Sequence, residues 1–152
     1  MLQTPAIPDI ARVVQTAVAP VFLLSGVGVT LTVLTNRQGR IIDRARLLEG
    51  SLATAPPAEA ARLRAALATL SRRAYLINRA LTLSTTCAIL VCVVVAALFI
   101  GAAFRLDLSV LIALLFVLAM IAFIGALLSF LREIFVATAA LRIGPPDGGS
   151  RH

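Results

Sequence analysis

Three uncharged, mostly apolar runs divide this chain: Val13–Asn36, Ala80–Phe104 and Leu108–Leu131, each 24 or 25 residues long. A helix of that length reaches ~36 Å, enough to cross a hydrocarbon core of ~30 Å with some tilt. The arginines are distributed unevenly around the runs. Nine lie between the first and second: Arg37, Arg40, Arg44, Arg46, Arg62, Arg64, Arg72, Arg73 and Arg79. Three more, Arg132, Arg142 and Arg151, follow the third. Only Arg12 and Arg105 fall on the opposite side. Arginine-rich loops stay cytoplasmic, so twelve against two orients the chain: N-terminus periplasmic, C-terminus cytoplasmic.

Composition agrees with that class. The 152 residues are 60% hydrophobic, with a mean hydropathy of +0.99, well above an ordinary soluble domain. Net charge is +7, all of it from arginine, since there is no lysine. Such basicity suits nucleic acid in a soluble protein, but here the arginines crowd against membrane spans, so no nucleic-acid partner is expected. Arginine without lysine, in an alanine-rich chain, is the usage of a GC-rich bacterial genome. The expected location is therefore the bacterial inner membrane, as a multi-pass protein. Cys87 and Cys92 lie five residues apart in the second run, about 140° around a helix axis, so they neither pair nor chelate together. They read as small packing residues. The only histidine is His152, which leaves no histidine-based metal site or catalytic dyad. The first run is too long for a signal-peptide core and has no A-x-A site after it, so it is expected to stay as an anchor.

Along the chain, residues 1–12 read as a periplasmic lead-in and 13–35 as the first transmembrane helix, with a bend expected at Pro20. Residues 36–80 read as a cytoplasmic antiparallel helical hairpin, turning near 53–57, where Pro56 and Pro57 stop the first arm. Ile41, Ala45, Leu48 and Leu52 step by 4, 3, 4 on one arm. On the other, Leu63, Leu67, Leu70, Ala74, Ile77 and Leu81 step by 4, 3, 4, 3, 4. That seam lets two helices zip together as a short coiled coil standing ~25 Å out of the membrane. The second span is 81–104, a periplasmic turn occupies 105–107, and the third span is 108–131. The third contains sixteen Leu, Ile, Val and Phe residues, each favouring insertion by ~0.3–0.6 kcal/mol near the bilayer centre. Residues 132–152 read as a cytoplasmic stub and a tail of disordered composition. No internal repeat suggests an inverted-repeat transporter.

The stretch Pro20–Glu49, with its Asn36-Arg37 exit and Asp43-Arg44-Ala45-Arg46 helix, is a distinctive pattern. Together with Arg72-Arg73-Ala74-Tyr75-Leu76-Ile77-Asn78-Arg79-Ala80, it resembles a bacterial membrane family, the domain of unknown function 2721. The resemblance covers roughly Val13 to Ala140. It implies a small inner-membrane protein with three spans and carries over no catalytic residues.

Polar residues gather at the cytoplasmic ends of the spans. Thr32, Thr35 and Asn36 close the first; Asn78, Thr82 and Thr85 open the second at i, i+4, i+7; Ser129, Arg132 and Glu133 follow from the third. Asn and Thr in hydrocarbon need partners, and interhelical hydrogen bonds supply them at ~0.6 kcal/mol each. Thr32, Thr35, Asn36, Asn78, Thr82, Thr85 and Glu133 are therefore expected to form a structural polar cluster; a small-ion or headgroup site is the sharper alternative. No span carries an ionisable group at its midplane, which favours the structural reading. Arg79 and Glu133 share the same membrane edge on antiparallel spans and are expected to pair. Asp43 is expected to pair along its helix with Arg40 and Arg46. Small residues at Ser25, Gly28, Thr32 and Thr35, and at Ala119, Ala122, Ala126 and Ser129, suggest packing of span one on span three, or an oligomer interface.

Arg37, Arg40, Arg44, Arg62, Arg64, Arg73 and Arg79 are the candidate contacts for anionic lipid headgroups or a cytoplasmic protein partner, at ~1 kcal/mol per arginine near the surface. The carboxylates are sparse and unpaired in sequence, and no phosphate loop or Ser/His/Asp arrangement is present, so no catalytic residue, cofactor or metal is expected. The leading expectation is a non-enzymatic scaffold or interaction protein acting through its Arg-rich hairpin. The alternative is a homo-oligomeric pore or channel, which three helices alone are too few to enclose.

Overall fold

The computed structural model describes the backbone of residues 7–141 and the side-chain surroundings of residues 11–139. The start of the lead-in and the tail with Arg142, Arg151 and His152 lie outside the described residues. Three helices make up the structure: α1 (Ile7–Leu52), α2 (Pro57–Phe104) and α3 (Ser109–Leu141). Each contains a stretch long and apolar enough to cross a membrane, which suggests a multi-pass membrane protein.

The boundaries expected at residues 36 and 80 between span and hairpin fall inside continuous helices. α1 runs unbroken for 46 residues and α2 for 48, about 70 Å each at 1.5 Å per residue. Nothing at 36–40 or 79–81 breaks a helix; Gly39 alone costs only ~1 kcal/mol. The stop comes at Leu52. Thr54 N–H closes a turn onto the Ser51 carbonyl, and Pro56, at φ −64°, ψ 158°, sets the next helix in motion. α2 begins on Pro57, at the end of the turn expected near 53–57. A proline at the first helical position lacks only an N–H that would have no intrahelical acceptor. Pro20 is enclosed in α1 without interrupting it.

α2 closes on a left-handed residue. Arg105 has φ 52° and ψ 39°, and Leu106 N–H reaches back to the Gly101 carbonyl at 3.0 Å, the wrap that ends many helices. Gly101 gives the turn room, because a Cβ there would stand a tight 3.3 Å from the Leu106 carbonyl oxygen. Asp107 then accepts the Ser109 N–H at 3.2 Å, satisfying one of the free donors at the start of α3.

α2 is the shared partner: both α1 and α3 pack along it. Its buried positions Ile77, Ala80, Ser84, Cys87, Val91 and Val94 step by 3, 4, 3, 4, 3, continuing the seam of the outer arm into the apolar region. Two cores result. One joins Val27 of α1, Cys87 and Val91 of α2, and Ala119 and Ala122 of α3. The other joins Ile41, Ala45 and Leu48 to Leu70, Ala74, Ile77 and Leu81, which are residues of the 4-3-4 pattern.

The expectation that span one packs on span three through small residues is corrected. The α3 stripe faces α2: Ala119, Ala122, Ala126 and Ser129 are buried, and a Cβ on Gly125 would meet Leu83 at 3.2 Å. The α1 stripe faces outward, and a Cβ on Gly28 would meet nothing within 4 Å. Large apolar side chains such as Phe22, Val29, Val110 and Ile121 cover the outer surfaces, as lipid-facing helices require.

Candidate functional site

At one level of the bundle the buried seam of all three helices carries charge. On α1 the sequence Leu34, Arg37, Ile41 steps by 3 and 4; on α2 Leu70, Arg73, Ile77 does the same; on α3 Ala126, Ser129, Glu133 steps by 3 and 4. Leu34, Ile41, Leu70, Ile77, Ala126 and Ser129 are buried, so Arg37, Arg73 and Glu133 are aimed inward with them. Glu133 is completely enclosed, at 0% exposure. Arg73 donates to its Oε1 through Nε at 3.0 Å and Nη2 at 2.8 Å. Arg37 Nη2 stands 3.0 Å from Oε2, close but off-axis, so that oxygen gains a countercharge without a well-directed hydrogen bond.

Burying a carboxylate costs several kcal/mol unless charge and hydrogen bonds offset it. Two guanidinium groups do so here and leave a net positive charge. They keep part of their surface exposed, at 27% and 23% of the side chain for Arg37 and Arg73. The Arg37 guanidinium also lies 5.3 Å from the centre of the Phe130 ring, within cation–π range.

The expected Arg79–Glu133 pair is not formed. Arg79 has the right depth but the wrong rotation: two residues past Ile77, it points about 200° away from the buried seam and is exposed. Arg73, four residues before Ile77, shares its face. The expected Asp43 pairs are also absent: among the described residues, the carboxylate lies within 4.0 Å of no arginine, and the only ion pairs are the two to Glu133.

The polar cluster is corrected as well. Thr32, Thr35, Asn36, Asn78, Thr82 and Thr85 are all exposed on the protomer. Thr32, Thr35 and Thr82 return their hydroxyls to the carbonyls of Gly28, Leu31 and Asn78 within their own helices, at 2.8–3.1 Å. A threonine in a helix satisfies itself this way, so apolar surroundings do not oblige it to find another helix. Of the seven residues only Glu133 is buried. Ser84, not singled out by the sequence reading, is buried with its hydroxyl unpartnered. Continuing the 3, 4 steps from Ile77 along α2 finds it.

Beside the triad is a groove of about 380 Å³ lined by Arg37, Arg40, Ile41 and Arg44 of α1 and Leu70 and Arg73 of α2. Four of the seven candidate arginines therefore converge. Arg62, Arg64 and Arg79 do not; they are exposed elsewhere on α2. At the far end of the helices a larger, mainly apolar cleft of about 930 Å³ opens between the starts of α1 and α3 and the end of α2, with Arg12 and Asp107 in its lining.

Fold and site together define a class: three helices, each able to cross a membrane, joined at one end by a buried carboxylate between two arginines. The chain belongs to the family described as protein of unknown function (DUF2721), whose model matches residues 17–143. That range contains the triad and all four groove arginines. No curated protein and no solved structure matches the chain.

Proposed function

We propose that this chain is a multi-pass protein of the bacterial inner membrane, without catalytic activity of its own, that acts as a scaffold through an Arg-rich cytoplasmic hairpin. In this reading residues 36–80 form an antiparallel coiled-coil hairpin, and the twelve-to-two arginine asymmetry keeps it and the C-terminus in the cytoplasm. The observation that carries the reading is the Arg37–Glu133–Arg73 joint. It ties α3 to both arms at their base, so the arms, continuous with α1 and α2, are held stiffly as extensions of the spans. A membrane anchor alone needs neither the arms nor their charge. The outer surface with Arg62 and Arg64 suits an acidic protein partner or anionic headgroups. The test replaces residues 47–66 with a short Gly-Ser turn. The expected result is normal membrane abundance with loss of co-purified partners; retention of every partner and phenotype would reduce the hairpin to a spacer.

A second reading, a homo-oligomeric pore, draws support from the outward face of α1. Ser25, Gly28, Thr32 and Thr35 form a small, polar, exposed stripe that no other helix of the protomer covers. Particle mass in nanodiscs followed by ion flux in liposomes separates the two: a pore requires several copies and a conductance.

A further inference from the structure

The groove between the α1 and α2 arms holds more positive charge than the protein neutralises. Four guanidinium groups line it, and among the described residues Glu133 is the only carboxylate within 4.0 Å of any of them. Glu133 is shared by Arg37 and Arg73, so Arg40 and Arg44 face the same space without a countercharge. An anion entering the groove would supply that countercharge.

We propose that this groove binds a phosphate oxyanion, carried by an anionic phospholipid headgroup or free in solution. The groove is organised before any ligand arrives: Glu133 fixes Arg73 through two donors, and Arg37 is held between Glu133 and Phe130. Ordering those side chains therefore costs little on binding. Guanidinium forks match phosphate geometry. The depth is also right. Arg37 directly follows the uncharged run ending at Asn36, and Arg44 lies ~10 Å further along the helix, which places the groove at headgroup level. The groove's volume lies at the small end of the ~300–1,000 Å³ usual for ligand sites. Basic pockets between helices on the cytoplasmic side are where anionic headgroups bind.

This inference deepens the proposed hairpin function and rests on its orientation, but the groove lies outside residues 47–66, so the two fail separately. The test uses the full chain in an uncharged detergent. One arm compares retention of phosphatidylglycerol and phosphatidylcholine by native mass spectrometry; the other titrates inorganic phosphate by calorimetry. Arg40→Gln/Arg44→Gln removes two exposed groove charges without touching the triad, and Arg46→Gln/Arg72→Gln removes the same charge at exposed positions outside the groove and outside the candidate contacts. The expected result is selective binding in at least one arm, weakened about fivefold per groove arginine and less than about twofold by the control pair. Phosphatidylglycerol binding alone assigns the site to lipid, and phosphate binding alone to a soluble ligand. Binding in neither arm, no effect of the groove pair, or equal losses from both pairs overturns the proposal.

Discussion

Arg73 turns both Nε and Nη2 onto one oxygen of Glu133, at 3.0 and 2.8 Å, across sixty residues of sequence. Removing one partner of a buried ion pair leaves the other charge uncompensated, typically at about 3–5 kcal/mol. Arg73→Ala is therefore expected to be the most damaging arginine change in the chain. Arg37→Ala should cost less, because its contact with Oε2 is off-axis. Arg79→Ala, exposed and without a carboxylate near it, should stay within about 0.5 kcal/mol. Thermal unfolding in nanodiscs checks the order, and a double-mutant cycle of Arg73 with Glu133→Gln should show coupling. Equal effects at positions 73 and 79 would contradict the geometry.

The two small-residue stripes should respond oppositely to enlargement. Ala126 is fully buried between α3 and α2, so Ala126→Leu overpacks the seam and is expected to cost about 1–3 kcal/mol. A Cβ on Gly28 meets no atom of the protomer within 4 Å, and the position is exposed, so Gly28→Leu should leave its thermal stability unchanged or raised. A fall in particle mass with Gly28→Leu, at unchanged protomer stability, would identify the α1 face as a contact between copies.

The turn before α3 predicts a pH dependence. Hydrogen bonds from the Ser109 hydroxyl and then its backbone N–H hold the Asp107 carboxyl below its usual range. A depressed carboxyl stabilises the fold above its unfolded value, and that contribution disappears as pH falls through the folded one. The melting difference between the wild type and Asp107→Ala should be constant at neutral pH and shrink as pH drops below about 4. A difference unchanged by acid would show that the ionised carboxylate contributes nothing to the turn.

The orientation expected from the arginine count is directly measurable. Reporters fused after residues 55, 106 and 145 are expected to read cytoplasm, periplasm and cytoplasm. A periplasmic signal from the first fusion would invert the orientation and move the groove to the other face.

The three helices, their membrane-crossing lengths and the apolar seam of the outer arms are readable from the sequence by itself, as is a set of arginines and one glutamate at a common membrane edge. Each is a property of a single segment: run length sets reach, heptad spacing sets a face, and charge counts set the expected side. Tertiary structure alone decided which of those charges meet. Arg79 and Arg73 are both close enough to the edge in sequence, and only the rotation of α2 against α3 turns Arg73 toward Glu133 and Arg79 away. It likewise placed α2 between its neighbours, so that the α3 stripe is covered while the α1 stripe and its threonines face outward. Rotation about a helix axis becomes physical only when another helix supplies the surface against which it is measured.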